Sequence, residues 1–239
     1  MNKERLKTGL EMMGIAADET ALDRFEAFHA ILDEYNARMD LTAVLDEDER
    51  VDRHDLDSAA PLAHGLLEQG AKVIDVGTGA GFPGMPLLIL RPDLQITFLD
   101  ALNKRILFLE DALKRLGLTA ATLHARAEDA AKMAAHREQY DAAVSRAVAN
   151  AATLEELTLP FVKKGGVAIA WKGPGVADEL TAARRAAFLL GGTVRGTVDA
   201  PIPRRADWAH VLLLTDKTGT TPKAYPRKAG TPGKKPLGM

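Results

Sequence analysis

Val73-Ile74-Asp75-Val76-Gly77-Thr78-Gly79-Ala80-Gly81-Phe82-Pro83-Gly84 is the stretch that decides how this 239-residue chain reads. An apolar run ends in an acid and breaks into alternating glycines, the pattern of a strand delivering its chain into a tight ligand-binding turn. Glycine has no side chain and accepts positive φ, so backbone here can pass close to a bound small molecule. A second apolar run, Ile96-Thr97-Phe98-Leu99, ends at Asp100, twenty-three residues after Gly77. In an open α/β sheet, a carboxylate that holds a ribose belongs at that distance.

Outward from this turn the chain alternates short β-type runs with helical periodicity. Strands are predicted over 72–76, 95–100, 121–125, 140–145, 167–171, 193–198 and 211–215. Ile106, Leu107, Leu109, Leu113 and Leu116 make one face of a helix over 104–116, and Leu180, Ala183, Ala187 and Leu190 do so over 177–190. Such alternation predicts a parallel sheet covered by helices on both faces. The last two runs are joined by residues 199–208, rich in proline and arginine, with no long helical crossover, so the seventh strand is expected to return antiparallel. The expected fold is therefore α/β: a Rossmann-like, seven-stranded, mostly parallel sheet with its last strand antiparallel. That is the class I S-adenosylmethionine-dependent methyltransferase architecture, not the six parallel strands of a dinucleotide-binding domain.

Residues 1–70 read as a helical extension. Leu22, Phe25, Phe28, Leu32, Tyr35 and Met39 form one apolar stripe, a short helix is predicted over 46–52, and a third over 58–68 closed by Gly70. No chemistry is evident there. The expected organisation is a helical region over 1–70, a cofactor-binding core over 71–217 and a basic tail over 218–239, extended or loosely ordered.

Composition narrows the function. Hydrophobic content of 46% and charged content of 27% are those of a soluble globular protein. The absence of cysteine removes disulfides, thiolate metal sites and a cysteine nucleophile. With no signal peptide and no apolar run long enough for a bilayer, a cytoplasmic protein is expected. The net charge of −2 hides a gradient: residues 1–70 carry 17 acids against 7 Lys/Arg, whereas from Lys217 onward there are six bases and no acids. A basic tail suggests a polyanionic partner, although a merely solvated terminus has the same composition.

Gly79-Ala80-Gly81-Phe82-Pro83-Gly84 formally matches a dinucleotide fingerprint, so the glycines alone leave the cofactor open. Three features favour S-adenosylmethionine. Asp75 precedes the turn, placed to accept from the ammonium of a methionine moiety. Glycines at 77, 79 and 81 alternate, suiting a nucleoside without a pyrophosphate to seat. No second domain follows to hold a reducible substrate. Asp100 would accept the ribose hydroxyls. A backbone amide near Ala127–Glu128 and the Glu128 carboxylate would read the adenine edge, although Glu128 also suits a helix N-terminus.

Asp141-Ala142-Ala143-Val144-Ser145-Arg146-Ala147-Val148, at the end of the fourth strand, lacks the Asn/Asp-Pro-Pro-aromatic element of adenine amino methyltransferases. Cytosine C5 chemistry needs a cysteine, and there is none. Arg146 either orients cofactor or nucleotide through its planar fork, or pairs with an acid of the helical region. The lack of an evident general base suits an acceptor that loses no proton, such as guanine N7 with its in-plane lone pair.

Asp75–Gly84, Ser145-Arg146-Ala147-Val148, Lys172-Gly173 and Tyr225-Pro226-Arg227-Lys228-Ala229-Gly230-Thr231-Pro232 together closely resemble the bacterial ribosomal RNA small subunit methyltransferase G family, also called glucose-inhibited division protein B (RsmG/GidB). With His54-Asp55-Leu56-Asp57-Ser58 and Leu41-Thr42-Ala43, the resemblance spans roughly residues 22–236. It implies methyl transfer from S-adenosylmethionine to N7 of a guanine in the 530 loop of 16S rRNA, with cofactor contacts at Gly77, Phe82, Ala127, Glu128 and Arg146. Asp75, Gly79 and Asp100 complete the expected cofactor set. Arg146 is expected to orient, with no general base and no metal.

Expected RNA contacts are Arg53, Lys172, Arg204, Arg205, Arg227 and Lys228 on phosphates, with His54 positioning substrate. Trp171 is expected in the core, Phe82 against the ligand, and Lys163-Lys164 at a solvated helix end. One departure from the family pattern is Asp40, where the family usually has Asn: neutral if the position caps a helix, weakening if it meets phosphate. The partner is expected to be 16S rRNA or the small ribosomal subunit, met by a monomer away from any membrane. The competing readings are a small-molecule methyltransferase, for which the tail would be dispensable, and a non-catalytic rRNA-binding assembly factor. On the first reading, removal of the tail should weaken RNA binding and spare the cofactor.

Overall fold

The computed structural model describes residues 1–146 and 149–239. Ala147 and Val148 of the fourth-strand motif lie outside the described residues. Seven strands form one sheet: β1 (Lys72–Val76), β2 (Gln95–Asp100), β3 (Ala121–His124), β4 (Tyr140–Arg146), β5 (Val162–Lys172), β6 (Gly192–Asp199) and β7 (Val211–Lys217), in the order β3-β2-β1-β4-β5-β7-β6. Pairing is parallel from β3 through β5, and β7 runs antiparallel to both β5 and β6. Because β2 and β4 flank β1 on opposite sides, their crossovers diverge and open a crevice over the carboxyl ends of β1 and β4.

Side-chain alternation along β1 sends Val73 into one core layer and Ile74 and Val76 into the other. The first layer receives the helical extension: α1 (Lys3–Met12), α2 (Glu19–Met39), α3 (Glu47–Arg50) and α4 (Asp57–Ala63). The expected α2 stripe is buried through Leu22, Phe25, Phe28 and Leu32, and Asp18 caps the helix by accepting from Ala21 N at 2.8 Å. Two features differ from expectation. The helices predicted over 46–52 and 58–68 form one run, because a wide π-type turn over Val51–Leu56 joins α3 to α4. It also closes early, at Gly65 (φ +60°), where Gly65 N and Leu66 N donate back to Leu62 O and Pro61 O.

The remaining helices are α5 (Gly84–Leu90), α6 (Asn103–Leu116), α7 (Ala127–Ala130), α8 (Ala151–Thr158), α9 (Val176–Leu189) and α10 (Thr231–Lys234). α5 and α8 are buried along most of their length and present no polar face, so the helical period leaves no trace in them. Lys163 and Lys164 stand in β5, not on a helix end, and Lys163 pairs with Asp141 of β4. The cause is local: Gly165 adopts φ +90° and a Cβ on Gly166 would lie 2.3 Å from Asp141 O, so the two glycines carry the strand through an irregularity in register.

The tail is docked, contrary to the loosely ordered segment expected. Lys217 is buried, its ammonium donating to Leu159 O and Thr221 Oγ1 and pairing with Glu138 at 3.0 Å; burial pushes its pKa down. Arg227 grips the fully buried Glu156 of α8 through Nε and Nη2, and Gly230 N donates to Glu128 Oε1 at 2.7 Å. Each pair satisfies a charge that would be costly to bury alone.

Asp40 is the left-handed cap of α2 (φ 50°, ψ 57°), where asparagine is the better non-glycine residue and a carboxylate opposes the helix dipole. Asp40→Asn is expected to raise unfolding stability by about 0.5 kcal/mol in urea titration. Glu155 is fully buried, accepts only from Thr215 Oγ1 through Oε1, and is pushed up to about 8 by burial. Its folded pKa exceeds its unfolded one, so the protonated form is the one folded, and its contribution to stability falls as pH rises from about 4.5 to 8 and then levels. Glu155→Gln should flatten that decline, with a gain on the order of 3 kcal/mol at pH 8.5 read from urea unfolding at pH 5, 7 and 8.5.

Candidate functional site

The glycine turn is held from beneath. Asp75 is fully buried, and its Oδ2 accepts from Thr78 Oγ1 at 2.7 Å and from Gly84 N at 2.9 Å. Burial raises its pKa to about 6, offset in part by those two hydrogen bonds. Glycine is required at 84, where a Cβ would sit 2.5 Å from the Phe98 ring and 2.7 Å from Asp75 Oδ2. At Gly79, by contrast, φ is +60° and a Cβ would meet nothing closer than 4.0 Å, so this backbone borders open space.

That space is a cavity of about 730 Å³, within the range of ~300–1,000 Å³ common for small-molecule sites. It is bordered by Gly77, Gly79 and Phe82 from the turn, Asp100 from β2, Ala127 and Glu128 from α7, and Arg146 from β4. Seven of the eight expected cofactor residues thus meet around one cavity; Asp75 lies under its floor. Asp100 accepts from Gly79 N and Leu102 N and pairs with Arg105 at 3.2 Å, so Arg105 belongs to this site although no motif marked it. An acidic rim on β2, a second carboxylate above β3 and an open glycine backbone fit a nucleoside bearing a cationic methionine chain.

The tail closes the far side of this cavity, where Gly230, Pro232 and Gly233 form part of the wall. The tail, expected to serve RNA and to spare the cofactor, thus stands beside the expected cofactor residues. Arg227, expected on phosphate, turns its fork to Glu156 and Lys235 O. Lys228 is exposed.

A second cavity of about 540 Å³ adjoins the first over β4, β5 and β7 and shares His54, Arg146 and Ala149 with it. Trp171, Lys172, Glu179 and His210 border it. Arg146 is anchored: Nη1 donates to Arg53 O at 2.6 Å and to Asp57 Oδ2 at 3.0 Å. Pairing with an acid of the helical region and bordering both cavities thus hold together. His54 stacks on Phe82 with centroids 4.4 Å apart and bonds Thr42 Oγ1 at 2.8 Å. Burial, then the Arg146 charge, lowers its pKa to about 3, so it is neutral. Phe82 is largely buried by this stack and by Phe28.

Asp57 reaches His210 Nδ1 at 3.1 Å as well as Arg146, and its carbonyl takes the Trp171 indole N–H at 2.8 Å. Trp171 is core, as expected. Lys172 pairs with Glu179 at 2.7 Å at the cavity edge. Arg205 pairs with the buried Asp52, and Arg204 donates to Arg5 O. His210 was missed, and Asp57 was read only within the His54–Ser58 stretch, because they lie 64 and 89 residues from Arg146 in sequence and no spacing links them to it. Among the described residues, no three His, Asp or Glu side chains converge to hold a metal ion.

Residues 21–204 match the family model described as rRNA small subunit methyltransferase G. A protein of that name from Alkaliphilus metalliredigens is 43% identical over 99% of both chains, and one from Clostridium perfringens is 41% identical over 97% of both. In fold, the chain is similar to a TehB-like SAM-dependent methyltransferase from Corynebacterium glutamicum, with a TM-score of 0.50 and 16% identity over 80% of this chain and 99% of that one.

The position of Asp75 separates two roles. Asp75→Asn keeps an oxygen to accept from Gly84 N and Thr78 Oγ1, whereas Asp75→Ala leaves a buried N–H unpaired, at roughly 1–3 kcal/mol. Calorimetry with S-adenosylmethionine is expected to find the Asn variant within about threefold of wild type. A tenfold loss would assign the charge to the ligand instead of the turn.

Proposed function

The chain belongs to the rRNA small subunit methyltransferase G family, and we propose that it transfers the methyl group of S-adenosylmethionine to N7 of a guanine in the 530 loop of 16S rRNA. The observation that carries this reading is a pair of adjoining cavities whose shared wall, among the described residues, is formed by His54, Arg146 and Ala149 and holds no carboxylate. His54 is a weak base, its pKa lowered to about 3, and its Nδ1 faces Arg146; Asp57 is occupied by Arg146 and His210, and Glu179 is tied to Lys172 and Ala151 N. His210, oriented by Asp57 through Nδ1 at the edge of the second cavity, is the side chain to which an acceptor that must lose a proton would turn. Guanine N7 loses none: its lone pair forms the new N–C bond as the C–S bond breaks, and the positive charge passes to the base.

When bound, S-adenosylmethionine supplies an electrophilic methyl group on a sulfonium. The protein's part is placement. The glycine turn, Asp100, Ala127 and Glu128 hold the donor against β1–β3. Arg146, locked by Arg53 O and Asp57, presents a fixed fork between donor and acceptor cavities. The second cavity receives the base, with Trp171 packed below it and His210 and Lys172 at its edge. Exposed Arg204 and exposed Lys228 supply charge for phosphate; Arg205 is held by the buried Asp52, and Lys172 is largely neutralised by Glu179.

Methyl-labelled S-adenosylmethionine, incubated with 30S subunits and with 16S rRNA from a strain lacking the family enzyme, tests this directly. Label is expected in one guanine of the 530 loop, cleavable by N7-specific chemistry. Label in a small molecule, or rRNA binding without transfer, would overturn it. Ending the chain before Lys217 is expected to weaken both RNA and S-adenosylmethionine binding by tenfold or more, because the tail completes the donor cavity.

A further inference from the structure

The β6–β7 connection carries a tryptophan, Trp208, that packs in part against the first core layer and leaves the rest of its surface open. Ala200 and Ile202 of this segment are buried in the first core layer, yet Trp208 remains half-exposed in a short turn before β7. Cationic side chains pack against it: the Arg53 guanidinium lies 4.3 Å from the ring centroid and that of Arg205 lies 5.2 Å away. The His210 ring stands 5.6 Å off at a tilt of 36°. Arg53 and Arg205 keep 43% and 34% of their side chains exposed, so their surfaces are open to a further layer.

This cluster is built into the acceptor site. Arg53 and His210 both border the second cavity. Arg53 O holds Arg146, and His210 shares Asp57 with Arg146. Arg205 is pinned by Asp52 at 2.7 Å. Planar indole, guanidinium and imidazole surfaces, set beside a cavity with ample room for a base, match what single-stranded nucleotides stack on. We propose that Trp208, with Arg53 and His210, is the stacking platform for the nucleobase adjacent to the one held in the second cavity. The inference rests on the rRNA reading above and adds a contact made by a base face, not by phosphate.

The test uses full-length protein, filter binding of 16S rRNA across a salt series, methyl transfer to the same RNA, and calorimetry with S-adenosylmethionine. Trp208→Leu is expected to weaken rRNA binding about tenfold or more. The slope of log K against log salt should stay that of wild type, because no phosphate contact is removed. Affinity for S-adenosylmethionine should be unchanged, and Trp208→Phe should recover most of the loss. Wild-type rRNA affinity in Trp208→Leu, a changed salt slope, or no recovery in Trp208→Phe overturns the platform. If wild type binds rRNA without methylating it, the functional reading fails while the binding series still decides the platform. If wild type binds no rRNA, both fall.

Discussion

Three buried aspartates, Asp52, Asp55 and Asp57, hold this molecule together across its two halves. They lie on the wide turn that joins α3 to α4 and at its exit, and each is paired away from its own helix. Asp52 takes Arg5 of α1 and Arg205 of the β6–β7 connection, Asp55 takes His29 of α2, and Asp57 takes Arg146 of β4 and His210. A carboxylate buried without such partners costs several kcal/mol, so the partners must arrive in place for the extension to dock. The acidity of residues 1–70, which on charge alone argues against a role near RNA, is in part the internal counter-charge of an arginine-bearing crevice.

That arrangement explains why Arg146 can border both cavities without wandering. Its fork is committed to Arg53 O and Asp57. A preorganised donor loses less conformational freedom when it acts, which matters for a reaction that depends on alignment more than proton transfer. The tail performs the corresponding service opposite. Glu156 holds Arg227, Glu128 holds Gly230, and together they set the wall formed by Gly230, Pro232 and Gly233. Both anchors are acids on helices that follow strand ends, so cavity and tail share one set of supports.

Much of this was legible before any coordinates. The seven strands fall where alternation and β-branched runs predict them, and the glycine turn, Asp100, Ala127, Glu128 and Arg146 gather around one cavity. Other parts were not legible, for physical reasons particular to each. α5 is apolar on every side, and α8 buries its two glutamates and its threonines along with its apolar residues, so neither shows a solvent-facing polar stripe. The start of β5 is masked by Lys163, Lys164 and two glycines, which read as a helix end until Asp141 is seen beside them. Arg227 reads as a phosphate ligand because its partner, Glu156, is seventy-one residues away.

The sequence by itself determined the fold class, the turn that approaches a ligand and the family, because these depend on local features: periodicity, glycines at fixed intervals and an acid at a strand end. Only the tertiary structure decided which charges face solvent. It set one oxygen of Asp75 on the backbone of its own turn, paired Arg227 with the buried Glu156 and made His54 neutral between Phe82 and Arg146. It also put Asp57 and His210 beside Arg146. A charged residue in a one-dimensional string carries no sign of its partner; pairing is set by desolvation and distance, and those exist only once the chain has folded.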